Sequence, residues 1–177
     1  FLVFIIILGF ESARQAVASL KKGRRIEELE QFALNDSMTG FYNRNAYDYF
    51  IYNEKNIKNY MVVTFDLNNL KMCNDNYGHS SGDAYIIHSA HIIETTFDRF
   101  GKCYRIGGDE FCCLIPDAAE FQIERFIQKM QQDIAILNNK NIIPTEVGIA
   151  CGYALATPDD ADIEKVRERA DEMMYHN

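Results

Sequence analysis

Two adjacent glycines between β-prone runs limit the fold of this chain more than any other stretch. In Tyr104-Arg105-Ile106-Gly107-Gly108-Asp109-Glu110-Phe111-Cys112-Cys113-Leu114-Ile115 both flanks are rich in apolar residues. A Gly-Gly pair in that setting predicts a β-hairpin, because glycine accepts the positive φ of primed turns without steric cost. Two carboxylates, Asp109 and Glu110, follow the turn. Strand side chains alternate between faces, so one acid can enter a cleft while the other turns away or pairs with a neighbour. Taken alone, the stretch reads as a solvated acidic turn; its meaning depends on the other elements.

Residues 60–67 (YMVVTFDL) have a buried-strand pattern that carries Asp66 near its end. An acid there, opposite the hairpin carboxylates, is how two elements converge on one divalent cation. The polar run from Asn68 to Asp83 reads either as a long capped turn or as a base-recognition and phosphate loop, and it leads into a helix over 83–97. A strongly amphipathic helix is predicted over 117–138, with Phe121, Phe126, Met130 and Leu137 on its apolar face. A strand follows over 147–156, where Gly148 and Gly152 suggest close backbone packing, then a turn at Thr157-Pro158-Asp159-Asp160 and a closing helix over 162–175. Upstream, 45–52 is a helical pattern, and the turn before it holds Gly40, with Arg44 placed to pair with Asp36. Strands with intervening helices argue for an α/β class protein, a sandwich with helices over a mixed sheet.

The chain has 177 residues, which suits one domain with an appendage. Its 18 Lys and Arg against 26 Asp and Glu give a net charge of -8. That balance argues against a duplex nucleic-acid partner, which requires a basic face. The five cysteines are odd in number and form no C-x-x-C pair, so a zinc site or disulfide framework is not expected and a reducing compartment fits better. His88 and His91 lie among isoleucines and read, like His79, as ordinary residues rather than metal ligands.

Residues 1–10 (FLVFIIILGF) are apolar throughout, yet a membrane span needs about 20 such residues. They are read as the cytoplasmic end of a transmembrane helix, supported by the basic cluster Lys21, Lys22, Arg24 and Arg25. A buried strand or a docked helix is the alternative. Residues 11–34 are read as a linker or signalling helix with a coiled-coil tendency and a phase break near Gly23, and 35–177 as the folded domain. Without an initiator Met and with a helical pattern at its end, the chain is expected to be a piece of a longer protein: the cytoplasmic domain of an inner-membrane protein.

Five stretches, in order, resemble the GGDEF family of diguanylate cyclases. Gly107-Gly108-Asp109-Glu110-Phe111 matches the signature and is preceded by the usual Arg105. Asp36-Ser37-Met38-Thr39-Gly40-Phe41-Tyr42-Asn43-Arg44 is similar to the opening D-x-L-T-G-L-x-N-R motif. Asp66 to Lys71, Asn74-Asp75 and Gly78-His79 to Gly82-Asp83 resemble the D-x-D-x-F-K-x-x-N-D-x-x-G-H-x-x-G-D block. The stretch around Gly148 to Ala154 and Ala170-Asp171 to Tyr175 are similar to the last two motifs.

The resemblance implies a nucleotidyl-cyclase-like fold, an α+β sandwich with a central mixed, mainly antiparallel sheet flanked by helices. It also implies condensation of two GTP into cyclic di-GMP and pyrophosphate, each 3'-hydroxyl attacking the α-phosphate of the other nucleotide. It implies Mg²⁺ or Mn²⁺ held by Asp66, Asp109 and the Leu67 carbonyl, with Glu110 nearby. Asp109, Glu110 and Lys71 are the implied catalytic residues. Asn74, Asp83, Gly107, Gly108 and Lys71 are the implied nucleotide-binding residues. Because each domain holds one GTP, the resemblance also implies a homodimer meeting through its catalytic faces, with the N-terminal helix transmitting an upstream signal through its packing.

This chain departs from the pattern in three places. Asn68 replaces the second acid of D-x-D, and Leu70 replaces the aromatic before Lys71. The product-inhibition motif R-x-x-D is not matched by Asp98-Arg99-Phe100-Gly101, so no feedback through that site is expected. The alternative function is a catalytically silent domain that senses GTP or a dinucleotide, or serves as a dimerisation module.

Overall fold

The computed structural model describes residues 14, 17–22, 25, 32–54, 56–118 and 122–176. The chain divides into two units, residues 1–34 and 35–177. In the first, the described residues are helical, and Val17, Leu20 and Phe32 expose most of their surface. The apolar run 1–10 and the phase break at Gly23 lie outside the described residues. Among the described residues no helix is long and apolar enough to cross a membrane.

The second unit contains α1 (Arg44–Asn53), β1 (Met61–Leu67), α2 (Leu70–Tyr77), α3 (His79–Phe97), β2 (Lys102–Arg105), β3 (Glu110–Ile115), α4 (Ile123–Asn139), β4 (Ile149–Leu155) and α5 (Ile163–His176). The strands lie in the order β2-β3-β1-β4, and every neighbouring pair is antiparallel. The single parallel pairing among the described residues is an isolated bridge between Tyr42 and Tyr104. Tyr42 N–H donates to the Cys103 carbonyl (3.1 Å), and Arg105 N–H donates to the Tyr42 carbonyl (2.8 Å). The opening loop therefore occupies the outer edge of β2.

Strand alternation divides the core into two layers. Val63, Phe65, Phe111, Cys113 and Ile115 belong to one cluster with Ile86, Ile93 and Phe97 of α3 and Met130 of α4. Phe97 links the layers of that cluster, with its ring 5.4 Å from Phe65 and 6.4 Å from Phe126. The other face carries Thr64, Asp66 and Gly152 and receives α5. Here Gly152 is required, because a Cβ would overlap the Ala170 carbonyl of α5. The Tyr47 ring of α1 meets Tyr104 of β2 edge-on at 5.4 Å. All five thiols are free, with Cys103 and Cys113 opposed across β2 and β3 at 3.5 Å between sulfurs.

Three expectations need correction. The run after β1 is not a long loop. It forms α2, whose Leu70 and Cys73 are buried one turn apart, and Gly78 at φ 83° ends it and opens α3 at His79. Burial of that short apolar pair outweighs the low helix propensity of its asparagines. The helix predicted from 117 begins only at Ile123, and Asp117 at φ 51° lies in the left-handed region, outside a right-handed helix. Arg44 does not reach Asp36: its Nε donates to Asp48 one turn along α1 at 2.8 Å.

Candidate active site

The register of β1 against β3 builds the acidic half of the site. Asp66 stands opposite Glu110, and Leu67 N–H donates to the Asp109 carbonyl at 3.1 Å. The Glu110 carbonyl accepts from Ile106 and Gly107 on the β2 side, at 3.0 and 3.3 Å. Asp66 and Glu110 therefore form a non-hydrogen-bonded pair, the arrangement that brings opposite side chains closest. Like charges placed so are unfavourable. Burial pushes the Asp66 carboxyl above its ordinary value, and the charges of Asp109 and then Glu110 push it further.

The connection 106–109 is a hairpin, as the sequence indicates, but neither Gly107 nor Gly108 adopts a positive φ. Their lack of a side chain has different uses. A Cβ on Gly107 would sit 2.9 Å from Glu110 Oε2 and crowd that side chain. A Cβ on Gly108 would meet nothing within 4 Å, so the tip is open there. Arg105 fixes the tip, since its Nε and Nη2 donate to the Gly108 carbonyl at 3.3 and 2.8 Å. Its Nη1 reaches Asp36, which also accepts from Thr39 N–H and Oγ1. Burial alone would raise the Asp36 carboxyl, but bonds from Thr39 and Arg105 outweigh it and hold it below the ordinary range.

The second half lies on α2 and α3. Lys71 is exposed in the first turn of α2, and Asp83 is exposed on α3. Asn74 is half-buried, its amide seated over Gly82, where a Cβ would overlap Oδ1. The turn 68–69 joins the halves, with Asn69 at φ 59°. A small cavity of about 40 Å³ lies between Asp66, Glu110 and the α5 residues Arg167, Asp171 and Tyr175. Arg167 is paired with Glu164 and Asp171 at 3.0 and 2.8 Å.

The structure thus brings Asp66, Asp109 and Glu110 together and sets Asn74 beside the start of α3, two groups on separate elements. Among the described residues no three His, Cys, Asp or Glu side chains already close into a cation cage. The donor set nevertheless suits a hard divalent cation. It is all oxygen, and its carboxylates repel one another unless a positive charge lies between them. Sequence reasoning found no partner for Arg105 or Tyr85 and missed the capping within the Asp36–Thr39 turn. The D-x-x-T spacing, which lets an aspartate cap its own turn, is the signal for the last of these.

An antiparallel sheet between helices, with an acidic hairpin facing a strand-end aspartate, defines a nucleotidyl-cyclase-like domain. Residues 33–177 match the family described as "Diguanylate cyclase, GGDEF domain", and the chain belongs to that family. It is 30% identical over 154 residues to the diguanylate cyclase DgcN of Escherichia coli, covering 84% of this chain and 38% of DgcN. It is 26% identical over 165 residues to the diguanylate cyclase DgcS of Shewanella oneidensis, covering 88% of this chain and 53% of DgcS. The chain therefore spans about half or less of these relatives. The fold is also that of the coiled coil and GGDEF domain of DgcB from Caulobacter crescentus, solved with c-di-GMP. The TM-score is 0.77 at 23% identity, covering 93% of this chain and 92% of that one.

Proposed function

We propose that this chain is the catalytic part of a diguanylate cyclase that joins two GTP into cyclic di-GMP as a homodimer. The observation that carries the reading is the opposition of Asp66 to Glu110 beside Asp109, at a hairpin whose tip is bare at Gly108. Asp66, Asp109 and the Leu67 carbonyl would hold Mg²⁺ or Mn²⁺, with Glu110 adjacent. When bound, such a cation neutralises phosphate charge and acidifies an attacking hydroxyl.

The residues of the chain have separate tasks. Gly107 and Gly108 let the nucleotide's phosphates approach the main chain. Lys71, exposed at the start of α2, meets those phosphates as a mobile point charge. Asp83 accepts from the N1 and N2 donors of guanine, and Asn74 offers its amide to the guanine acceptors. The 3'-hydroxyl carried by one protomer attacks the α-phosphorus carried by its partner, and pyrophosphate leaves; a second, symmetric attack closes the ring.

Asn68 keeps an oxygen at the second acidic position and lowers the negative charge there by one. With Asp98 and Gly101 in place of R-x-x-D, the enzyme is not inhibited by its product through that site. Attachment to a membrane upstream of residue 11 belongs to the same proposal, supported by the apolar run and the basic cluster after it. The test is incubation with GTP and Mg²⁺ or Mn²⁺, with cyclic di-GMP and pyrophosphate as readouts and Asp109→Ala as control. Absence of product from a dimeric sample defeats the reading.

A further inference from the structure

One buried hydroxyl holds the turn at which the two halves of the site meet. Tyr85 lies on α3, two residues after Asp83, and none of its surface reaches solvent. Two steps along an α-helix rotate a side chain by about 200°. Asp83 therefore faces solvent while Tyr85 points into the protein. The Tyr85 hydroxyl donates to the Asn68 carbonyl (2.8 Å) and accepts from Gly148 N–H (2.6 Å), with the Gly148 carbonyl at 3.1 Å. Asn68 N–H donates to that same Gly148 carbonyl at 3.0 Å. One oxygen thus ties three segments: α3, the turn that follows Leu67, and the entry to β4.

We propose that Tyr85 is a positioning residue whose hydroxyl sets the acidic half of the site, Asp66 and Leu67, against the nucleotide-reading half on α2 and α3. The hydroxyl has one proton, which goes to Asn68, and its lone pair takes the Gly148 N–H. Burial raises the phenol above its ordinary value, so it keeps the proton that this donation needs. Phenylalanine would keep the ring in the core and remove the oxygen alone. The Asn68 carbonyl and the Gly148 N–H would then each lose this partner, and the turn would be free to shift against α3. Displacements of this kind remote from the reacting atoms slow chemistry more than they weaken binding.

The kinetic part of this inference rests on the proposed cyclase activity; the structural part does not. The experiment uses the complete chain with Tyr85→Phe and combines amide hydrogen exchange, affinity for a non-hydrolysable GTP analogue, and steady-state cyclisation per folded molecule. In the parent, the Gly148 amide is expected to be protected like the central strand. In the variant its exchange rises roughly tenfold or more, kcat falls by a similar factor, and KM and analogue affinity stay within about threefold. Parental kcat in the variant overturns the proposal, as does a Gly148 amide that already exchanges like an open loop in the parent. The parent measurement decides even if the variant does not fold. Should the parent form no cyclic di-GMP, the cyclase reading fails while the exchange result still decides the role of Tyr85.

Discussion

Arg105 Nη1 lies 3.1 Å from Asp36 Oδ1, joining the hairpin to a turn 69 residues earlier in the chain. The pair is largely shielded, with side-chain exposures of 12% for Arg105 and 24% for Asp36. The same guanidinium holds the Gly108 carbonyl. A planar fork can serve both acceptors at once, whereas an ammonium cannot match that geometry. Arg105→Lys should therefore cost about 1.5–3 kcal/mol in urea unfolding, the range for hydrogen bonds to charged groups. It should also lower kcat for cyclisation more than it raises KM. A variant with parental stability would show that the clamp contributes little.

Asp36 also gives the domain a defined acid sensitivity. Its carboxyl is held below its ordinary value of 3.8, so the folded state binds the proton less readily than the unfolded state. The stability it contributes is complete above the ordinary value and is lost as pH falls through the lower native value. Asp36→Asn should therefore be less stable than the parent near neutrality, with a difference that shrinks in acid. Urea midpoints followed across that range check the sign.

Gly82 makes room for Asn74. Adding a methyl at that position drives it into the Asn74 amide, and overpacking of this kind costs about 1–3 kcal/mol. If Asn74 reads guanine, Gly82→Ala should weaken binding of a GTP analogue by roughly tenfold, about 1.4 kcal/mol. Titration calorimetry of parent and variant measures this directly. Unchanged affinity would remove Asn74 from the binding site.

The acidic half should behave as a cation site whose empty form is under electrostatic strain. Mn²⁺ at about a hundred times its dissociation constant should stabilise the parent by about 2.7 kcal/mol. Asp66→Asn should abolish that response. In chelator the same variant should be more stable than the parent by roughly 0.2–1 kcal/mol, because it removes a like-charge cross-strand contact. Thermal melts in the two conditions separate these effects. A variant destabilised in chelator would contradict the account of Asp66.

The strands were legible in the sequence because β1 and β3 are dominated by apolar residues, and Asp66 was legible as an acid near a strand's end. What escaped were relationships between distant residues. Arg44 looked like the partner of Asp36 because it is near in sequence, but α1 turns it toward Asp48. Tyr85 gave no signal at all, since its partners are main-chain atoms 17 and 63 residues away. The helix α2 was hidden by its asparagines. The two signature glycines marked the hairpin through a left-handed backbone that neither adopts; open space at Gly108 and room for Glu110 at Gly107 are what the hairpin uses.

Tyr42 has a consequence for how copies of this domain can associate. An uncovered edge strand recruits a strand from another molecule with little selectivity. At β2 the Cys103 carbonyl and the Arg105 N–H are already taken by Tyr42. The hairpin bearing the acidic tip is thus withheld from sheet extension along that side. On the proposed reading, two copies would meet tip to tip, an encounter in which the ligands rather than the backbones make the introduction.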